Sequence, residues 1–266
     1  MTSTASPTRG RLKRLFERFP FLPALIIFLV LLALNGIFSP ASLSARGLTG
    51  FASTYLALML LAIGQTFVVY TSDIDFSNGV ILSLVNVSII VLMQSWGGDG
   101  LSVLAALAIG LGIGLACGLL NGIVVAVLRL QAVVATFATG IFFTGLALYV
   151  LPVAGTPAPR VFWRTYGGRF FDVPFVVYAI VGIAILVAIL IRTRLATRLL
   201  AVGDDAQAAY QSGLPVTAIR VSGYMISGVF AALAFLFSLL VVPETKGRTL
   251  EEIEQQLIPN LEGRVR

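Results

Sequence analysis

Seven apolar runs, each close to the length that crosses a bilayer, constrain this chain more than any other feature. A helix that spans the hydrocarbon core needs about 20 apolar residues. Short polar connections separate most of the runs, so they fit one membrane domain. The sequence therefore predicts an all-α, polytopic transmembrane helical bundle of about seven spans. The runs are Phe21–Phe38, Gly50–Tyr70, Gly79–Trp96, Leu101–Leu128, Ala132–Leu151, Val173–Ile191 and Val221–Val242.

Composition excludes several kinds of chemistry. Charged residues make up 11% of the 266 residues, against about a quarter in soluble domains. The chain contains no histidine and a single cysteine, Cys117, inside an apolar run. We therefore expect no metal site, no disulfide, no cofactor and no His-based catalysis. Because no phosphate-binding Gly-Lys-Ser/Thr loop occurs, we also expect a protein that is not an enzyme and does not hydrolyse ATP itself.

The basic residues divide unequally between the two sides of the predicted bundle. If the N-terminus is cytoplasmic, ten lie inside and four outside, as the positive-inside rule favours. This asymmetry explains the net charge of +6 without a nucleic-acid partner. A signal peptide is the alternative for the first run, although its apolar core is usually only about 7–15 residues. The inside set is Arg9, Arg11, Lys13, Arg14, Arg18, Arg129, Arg192, Arg194, Arg198 and Arg220, and the outside set is Arg46, Arg160, Arg164 and Arg169.

Four glycines in the fourth run are spaced by four residues: Gly110, Gly114, Gly118 and Gly122. This spacing places them along one face of a helix. Small residues on such a face let a second helix approach backbone to backbone. We predict a helix-packing role for all four.

A short polar turn with two carboxylates, Asp73 and Asp75, lies between the second and third runs. A charge at the bilayer centre costs about 3 kcal/mol, so these acids need water, a partner or a function. In one interpretation Asp75 or Ser77 caps the next helix. In the other, the turn is a break whose backbone groups and carboxylates line a polar cavity. Both interpretations stay open at this point.

Uncharged hydrogen-bonding side chains lie in or beside the runs, among them Gln65, Thr66, Asn121, Gln131, Thr136 and Thr139. Hydroxyls and amides suit a path for a polar, uncharged solute such as a sugar. Hydrogen bonding between helices is the alternative explanation. The residues predicted to line a substrate path are Gln65, Asp75, Ser77, Asn78, Asn121 and Thr136.

The longest inside connection, residues 192–219, contains a predicted short helix at 203–215. Asp204 and Asp205 occupy its predicted first turn, where they favour the helix dipole, and Gly213 followed by Pro215 would end it. A capped helix on the cytoplasmic face suits contact with a soluble partner. An ordinary surface helix is the alternative.

Four groups of residues follow one another in the order found in a known transporter family. They are Ile74-Asp75-Phe76-Ser77 with Gly79; Gly118-Leu119-Leu120-Asn121-Gly122 through Arg129 to Ala135-Thr136; Thr144-Gly145-Leu146-Ala147; and Gly203 through Ala208-Ala209 to Ser212-Gly213, followed by Tyr224 and Ser227-Gly228. Over approximately Leu48–Ala234 the chain resembles the permease subunits of bacterial ABC sugar importers of the ribose/xylose type. These are binding-protein-dependent components of the inner membrane.

The resemblance implies a pore of two permease copies that imports a monosaccharide, surrounded by membrane lipid. It also implies a cytoplasmic ATPase and a periplasmic sugar-binding protein as partners. The resemblance further implies that Asp75, Ser77 and Gly79 have roles near the substrate pathway. The family usually has two glycines where Ser72 and Asp73 stand. The implied ATPase-coupling residues are Gly203, Asp204, Asp205, Gln207, Ala208, Ala209 and Gly213.

The tail differs from that family. Residues 243–254 resemble the segment after the last span of sugar porters of the major facilitator superfamily, and Thr249 with Glu252 forms a capping box. The permease family generally continues for about three more spans, so we expect a truncated or fused permease. Alternatives are a single-chain carrier of the facilitator type and a non-functional fragment. The predicted organisation is a basic cytoplasmic segment (1–20), a transmembrane permease domain (21–242) and an amphipathic tail (243–266).

Overall fold

The computed structural model describes residues 16, 18, 19, 21–151, 169, 170 and 173–238. The predicted tail and nearly all of the predicted N-terminal segment therefore lie outside the described residues. Two compact units divide the chain, Met1–Phe51 and Ala52–Arg266.

The first unit contains an apolar helix, α1 (Leu22–Phe38), of 17 residues. Pro23 lies in its first turn, where a missing N–H costs nothing. A 3₁₀ turn, Pro40–Leu43, follows, and α2 (Ala45–Val69) begins in this unit and continues into the second.

The second unit is built from helices and contains the candidate functional site. Its described helices after α2 are α3 (Asn78–Ser95), α4 (Gly100–Gly122), a π-helical segment (Ile123–Val127), α5 (Ala132–Val150), α6 (Phe175–Arg192), α7 (Arg194–Asp204), α8 (Ala206–Gln211) and α9 (Val216–Ser238). Two strands of two residues each, β1 (Arg169–Phe170) and β2 (Val173–Pro174), pair antiparallel before α6.

Six described helices are long and apolar enough to cross a membrane: Gly47–Val69, Asn78–Ser95, Gly100–Val127, Ala132–Val150, Phe175–Arg192 and Val216–Phe235. The prediction of an all-α polytopic bundle is confirmed. Helix α1 matches the first predicted run to within one residue and, with 17 residues, is one residue shorter than the shortest of these six.

The last span begins earlier than predicted. Helix α9 starts at Val216, directly after Pro215, rather than at Val221. The apolar run starts late because Arg220 interrupts it, yet this arginine lies within the helix. Arg220 is therefore a helical residue, not a loop residue.

Helices α4 and α9 approach each other backbone to backbone along the glycine ladder. A Cβ on Gly114 would overlap the carbonyl of Gly228, and a Cβ on Gly118 would overlap that of Tyr224. No larger residue fits between the two backbones. At the other two glycines of the ladder, a Cβ on Gly122 would lie 2.9 Å from the Cα of Val221 in α9, and a Cβ on Gly110 would overlap the Ile89 side chain of α3.

Helix α2 packs against α9 through aromatic side chains. The rings of Phe67 and Phe230 stack with their centroids 6.0 Å apart, and both side chains are almost fully buried. Gly64 provides the room, because a Cβ there would lie 2.9 Å from the Phe230 Cβ. This contact holds the end of α2, and the polar turn that follows it, against the bundle.

Candidate functional site

The polar turn, residues 70–77 between α2 and α3, folds back on the bundle instead of projecting from it. Ser72 adopts a left-handed backbone conformation with φ of 59°, which costs a residue with a side chain roughly 1–2 kcal/mol. Its hydroxyl donates a hydrogen bond of 2.7 Å to the carbonyl of Gly203 at the end of α7. The turn is thereby tied to an element 131 residues away in the chain.

Gln65 on α2 satisfies the backbone of the turn. Its carboxamide oxygen accepts a hydrogen bond from the Asp75 N–H at 3.0 Å, and its nitrogen donates to the Asp75 carbonyl at 3.2 Å. One side chain therefore pairs both backbone polar groups of Asp75. Such pairing is required where a helix break is buried away from water.

The side chain of Asp75 begins a chain of buried hydrogen bonds that joins three elements. Asp75 Oδ1 accepts from the N–H of Ser77 at 2.8 Å and from its hydroxyl at 2.7 Å. The Asn121 amide of α4 donates to the Ser77 hydroxyl at 2.6 Å. Thr139 of α5 donates to the Asn121 oxygen at 2.6 Å. Ser77 and Asn121 are both fully buried.

Thr136 and Asn78 complete the contacts around the turn. The Thr136 hydroxyl accepts from the Phe76 N–H at 3.0 Å, and Asn78 donates to the Leu61 carbonyl at 3.0 Å. The structure therefore brings all six residues of the predicted path to one site. We call the six, together with Thr139, the polar cluster: Gln65, Asp75, Ser77, Asn78, Asn121, Thr136 and Thr139.

The capping interpretation is wrong for Ser77, whereas Asp75 does accept a hydrogen bond at the start of α3, from the N–H of Ser77. Ser77 occupies the N-cap position of α3 but makes no side-chain cap hydrogen bond. Its hydroxyl instead donates to Asp75 and accepts from Asn121. The Ser77 hydroxyl therefore bonds to Asn121 of the neighbouring helix α4 instead of capping α3. A single sequence does not reveal such a partner.

Burial raises the pKa of the Asp75 carboxyl above its usual value, and the hydrogen bonds from Ser77 oppose this rise. Asp75 Oδ2 is buried and has no hydrogen-bond partner among the described atoms.

Asp73 forms an ion pair with Arg220 of α9. Arg220 Nη2 lies 2.8 Å from both carboxylate oxygens, and Nε donates to Oδ2 at 3.1 Å. The side chain of Asp73 is 10% exposed and that of Arg220 is 27% exposed. Sequence reasoning singled out Asp73 but did not find its partner, because 147 residues separate the two.

The predicted short helix at 203–215 is present as α8, but it covers only Ala206–Gln211. Gly203 and Asp204 end α7, and Asp205 is the N-cap of α8. Asp205 Oδ1 accepts hydrogen bonds from the N–H groups of Gln207 and Ala208, at 2.8 and 2.9 Å. The break occurs here because the Asp205 side chain competes with the continuing helix for these N–H groups.

A glycine motif fixes the other end of α8. Gly213 has a φ of 80°, a conformation that favours glycine. Its N–H donates to the Tyr210 carbonyl at 2.9 Å, and the Leu214 N–H donates to the Ala209 carbonyl at 3.1 Å, which is the Schellman pattern. Ala209 is buried against the core, whereas Gln207, Ala208 and Tyr210 are exposed.

Gly203 joins α7 to the polar turn. A Cβ at this position would overlap the carbonyl of Tyr70, so only glycine lets the two backbones meet. Together with the Ser72 hydrogen bond, this contact places the end of α7 directly against the turn. Sequence reasoning assigned Gly203 to ATPase coupling and did not find this packing contact.

Among the described residues, no group of three or more His, Cys, Asp or Glu side chains could hold a metal ion.

Comparison with known proteins identifies the family. Residues 47–246 match the family model described as "Branched-chain amino acid transport system / permease component". The chain belongs to this permease family. With six membrane-length helices, this family member is a multi-pass membrane protein.

The permease also resembles individual proteins. It is 33% identical over 235 residues to the autoinducer 2 import system permease protein LsrC of Yersinia enterocolitica, covering 86% of this chain and 64% of that protein. The corresponding proteins of Yersinia pseudotuberculosis and Yersinia pestis are 33% and 32% identical, with 65% of their length covered. The match thus spans slightly less than two thirds of these curated relatives. No solved structure matches the chain significantly.

The Asp73–Arg220 pair gives a stability prediction. We expect Asp73→Asn and Arg220→Gln each to lower the free energy of unfolding, because each leaves a largely buried charge without its partner. A double-mutant cycle in detergent should show a coupling energy of about 1–3 kcal/mol.

Arg198→Gln is the control for this cycle, because Arg198 is an exposed arginine of α7. We expect it to change the free energy of unfolding by less than about 0.5 kcal/mol. A coupling energy near zero between Asp73 and Arg220 would show that the pair does not hold the turn to α9.

Proposed function

We propose that this permease is the membrane-spanning subunit of an ATP-driven importer that moves a small polar solute, a monosaccharide or a molecule of similar polarity, into the cell. The observation that carries the proposal is the family match over 47–246. The capped helix α8 and the polar cluster add its physical basis. ATP hydrolysis takes place on a separate subunit, and this chain converts the movement of that subunit into access to the path.

The end of the bundle that holds the polar turn and α8 faces the cytoplasm in this proposal. One cavity is lined by residues of the turn, of α8 and of α9, so all three lie at the same end. This end also carries Arg129 and Arg220, and it is the end from which α7, with Arg194 and Arg198, reaches the turn. The positive-inside rule assigns such an end to the cytoplasm. Helix α1 also crosses the inner membrane in this proposal, which places the N-terminus in the cytoplasm.

Helix α8 is the coupling helix of this proposal. Its cap and its Schellman motif hold it as a rigid unit, and its exposed side chains are free to contact a soluble subunit. A displacement of α8 reaches the end of α7 across a single residue, Asp205. From there it reaches the polar turn through the contacts of Gly203 with Tyr70 and Ser72. These packed contacts form a continuous physical connection from the ATPase surface to the turn.

The polar cluster is the inner part of the solute path in this proposal. Its members come from α2, the turn, α3, α4 and α5, so relative motion of these helices opens the cluster. Asp75 Oδ2, which lacks a partner in this conformation, then accepts a hydroxyl of the solute. Alternation between closed and open arrangements is a shift between two states, which ATP binding on the partner biases.

The substrate class rests on two likenesses. The relatives are named as autoinducer 2 import proteins, and the motif resemblance is to ribose and xylose permeases. Amide, hydroxyl and carboxylate groups in the cluster suit a neutral solute with several hydroxyls.

A periplasmic binding protein delivers the solute, and a second permease copy completes the pore. The facilitator-like segment 243–254 lies outside the described residues, and no described contact favours a single-chain carrier.

Removal of the coupling-helix cap tests the link to an ATPase. The permease is affinity-purified from its native membrane, and a co-purifying subunit is identified by a Gly-Lys-Ser/Thr nucleotide loop in its sequence. We expect Asp205→Ala to reduce co-purification and ATP-dependent uptake of labelled solute by about fivefold or more, since loss of a cap costs about 1 kcal/mol. Asp205→Asn, which keeps the cap and removes the charge, should retain both. Uptake that requires a proton gradient and no ATPase would contradict the proposal.

Replacement of Asp75 tests the path. Asp75→Asn keeps an oxygen that accepts from Ser77, so we expect a melting temperature within about 2 °C of the parent. Uptake of labelled ribose, xylose or autoinducer 2, whichever the parent carries, should fall at least tenfold. Ser83→Ala, an exposed position on α3, is the control. Unchanged uptake by the Asp75→Asn variant would show that Asp75 has a purely structural role.

A further inference from the structure

A cavity of about 780 Å³ opens at the same end of the bundle as the coupling helix. Its walls come from four segments: the polar turn, the connection between α4 and α5, α8, and the first turns of α9. This volume falls within the range of about 300–1,000 Å³ that is typical of binding sites. Neither the polar cluster nor the proposed solute path uses this cavity.

The cavity carries one uncompensated positive charge. Two guanidinium groups, of Arg129 and Arg220, line it together with one described carboxylate, that of Asp73. Both oxygens of Asp73 are bonded to Arg220. Arg129 makes no hydrogen bond or ion pair with any residue that the structure describes, and it is exposed. The free charge of the cavity therefore belongs to Arg129.

The backbone at Arg129 is strained. Its φ is 58°, a left-handed conformation that costs a residue with a Cβ roughly 1–2 kcal/mol. It follows the π-helical segment Ile123–Val127 directly after Leu128. Strain of this kind persists where the surroundings impose it and is common at binding sites. A glycine at this position would remove the strain, so stability alone does not explain an arginine here.

Apolar and aromatic side chains surround this charge. Ile74 is 48% exposed, Leu130 is 52% exposed and Tyr210 is 74% exposed, and all three line the cavity. Tyr and Arg are the residue types that contribute most to protein interfaces when they become buried. Because Tyr210 belongs to α8, a protein that docks on the exposed face of α8 also covers the mouth of this cavity.

We propose that the cavity is a second docking site for the ATPase subunit, which inserts an acidic side chain with apolar neighbours and pairs its carboxylate with Arg129. This inference rests on the proposed function. A carboxylate gives the bidentate geometry that a guanidinium favours, and the apolar rim removes water from the pair. The α4–α5 connection then moves with α8 when the ATPase changes its conformation.

The test measures the affinity of the purified ATPase subunit for the permease in nanodiscs of neutral phosphatidylcholine, at low and at high salt. Arg129→Gly is the decisive variant, because it removes the charge and relieves the backbone strain. We expect its melting temperature to equal or exceed that of the parent, while the Kd for the ATPase rises about tenfold at low salt. The difference should shrink at high salt, which screens the ion pair. Arg129→Glu should weaken binding further.

Two further variants separate the outcomes. Arg198→Glu makes the same change of charge as Arg129→Glu, but at a residue that does not line the cavity. We expect it to change the Kd for the ATPase less than twofold. If Asp205→Ala loses the ATPase while Arg129→Gly binds it like the parent, the second docking site is refuted and the proposed function stands. If neither variant affects binding, the second docking site and the assignment of α8 as the coupling helix both fail. If the parent permease itself does not bind the ATPase, the proposed function fails as well. If Arg129→Gly lowers binding to phosphatidylglycerol vesicles and leaves ATPase binding unchanged, the cavity holds a lipid headgroup and the inference is overturned.

Discussion

The break between α2 and α3 buries Asp75 inside the bundle, so the backbone polar groups around this residue need partners on neighbouring helices. Gln65 pairs both backbone groups of Asp75, and Thr136 accepts the N–H of Phe76. The Asp75 side chain continues the hydrogen bonding through Ser77 to Asn121. The three side chains that bond to the turn from outside, Gln65, Thr136 and Asn121, belong to three different helices. The break therefore cannot change shape unless the helices around it also move. This property makes the turn suitable as the moving part of a transporter.

Two close backbone approaches place the turn next to α7 and the proposed coupling helix α8. Along α4 and α9, the glycines bring the helices together and so bring Arg220 within reach of Asp73. At the end of α7, Gly203 meets Tyr70, and the next residues form the capped helix α8. The proposed coupling helix and the polar turn are therefore joined by close backbone contacts that only glycine permits.

The sequence predicts the membrane fold well, because runs of about 20 apolar residues have few other structures available to them. It also selects the six polar residues that prove to be neighbours, since each is costly in an apolar environment unless it is paired. The pairing itself is not predictable. Local spacing predicts that Ser77 caps a helix. Only the packing of α4 shows that the Asn121 amide donates a hydrogen bond to the Ser77 hydroxyl. Similarly, nothing near Asp73 indicates Arg220, and a continuous helix at 203–215 is excluded only by the hydrogen bonds that Asp205 makes.

In the proposed mechanism the coupling helix and the polar turn move as one unit. Hydrogen–deuterium exchange of the permease–ATPase complex, with and without a non-hydrolysable ATP analogue, measures this directly. We expect the backbone amides of 70–77 and of 203–213 to change their exchange rates together when the nucleotide binds, and Asp205→Ala to abolish both changes. A nucleotide-dependent change in 203–213 with none in 70–77 would contradict it.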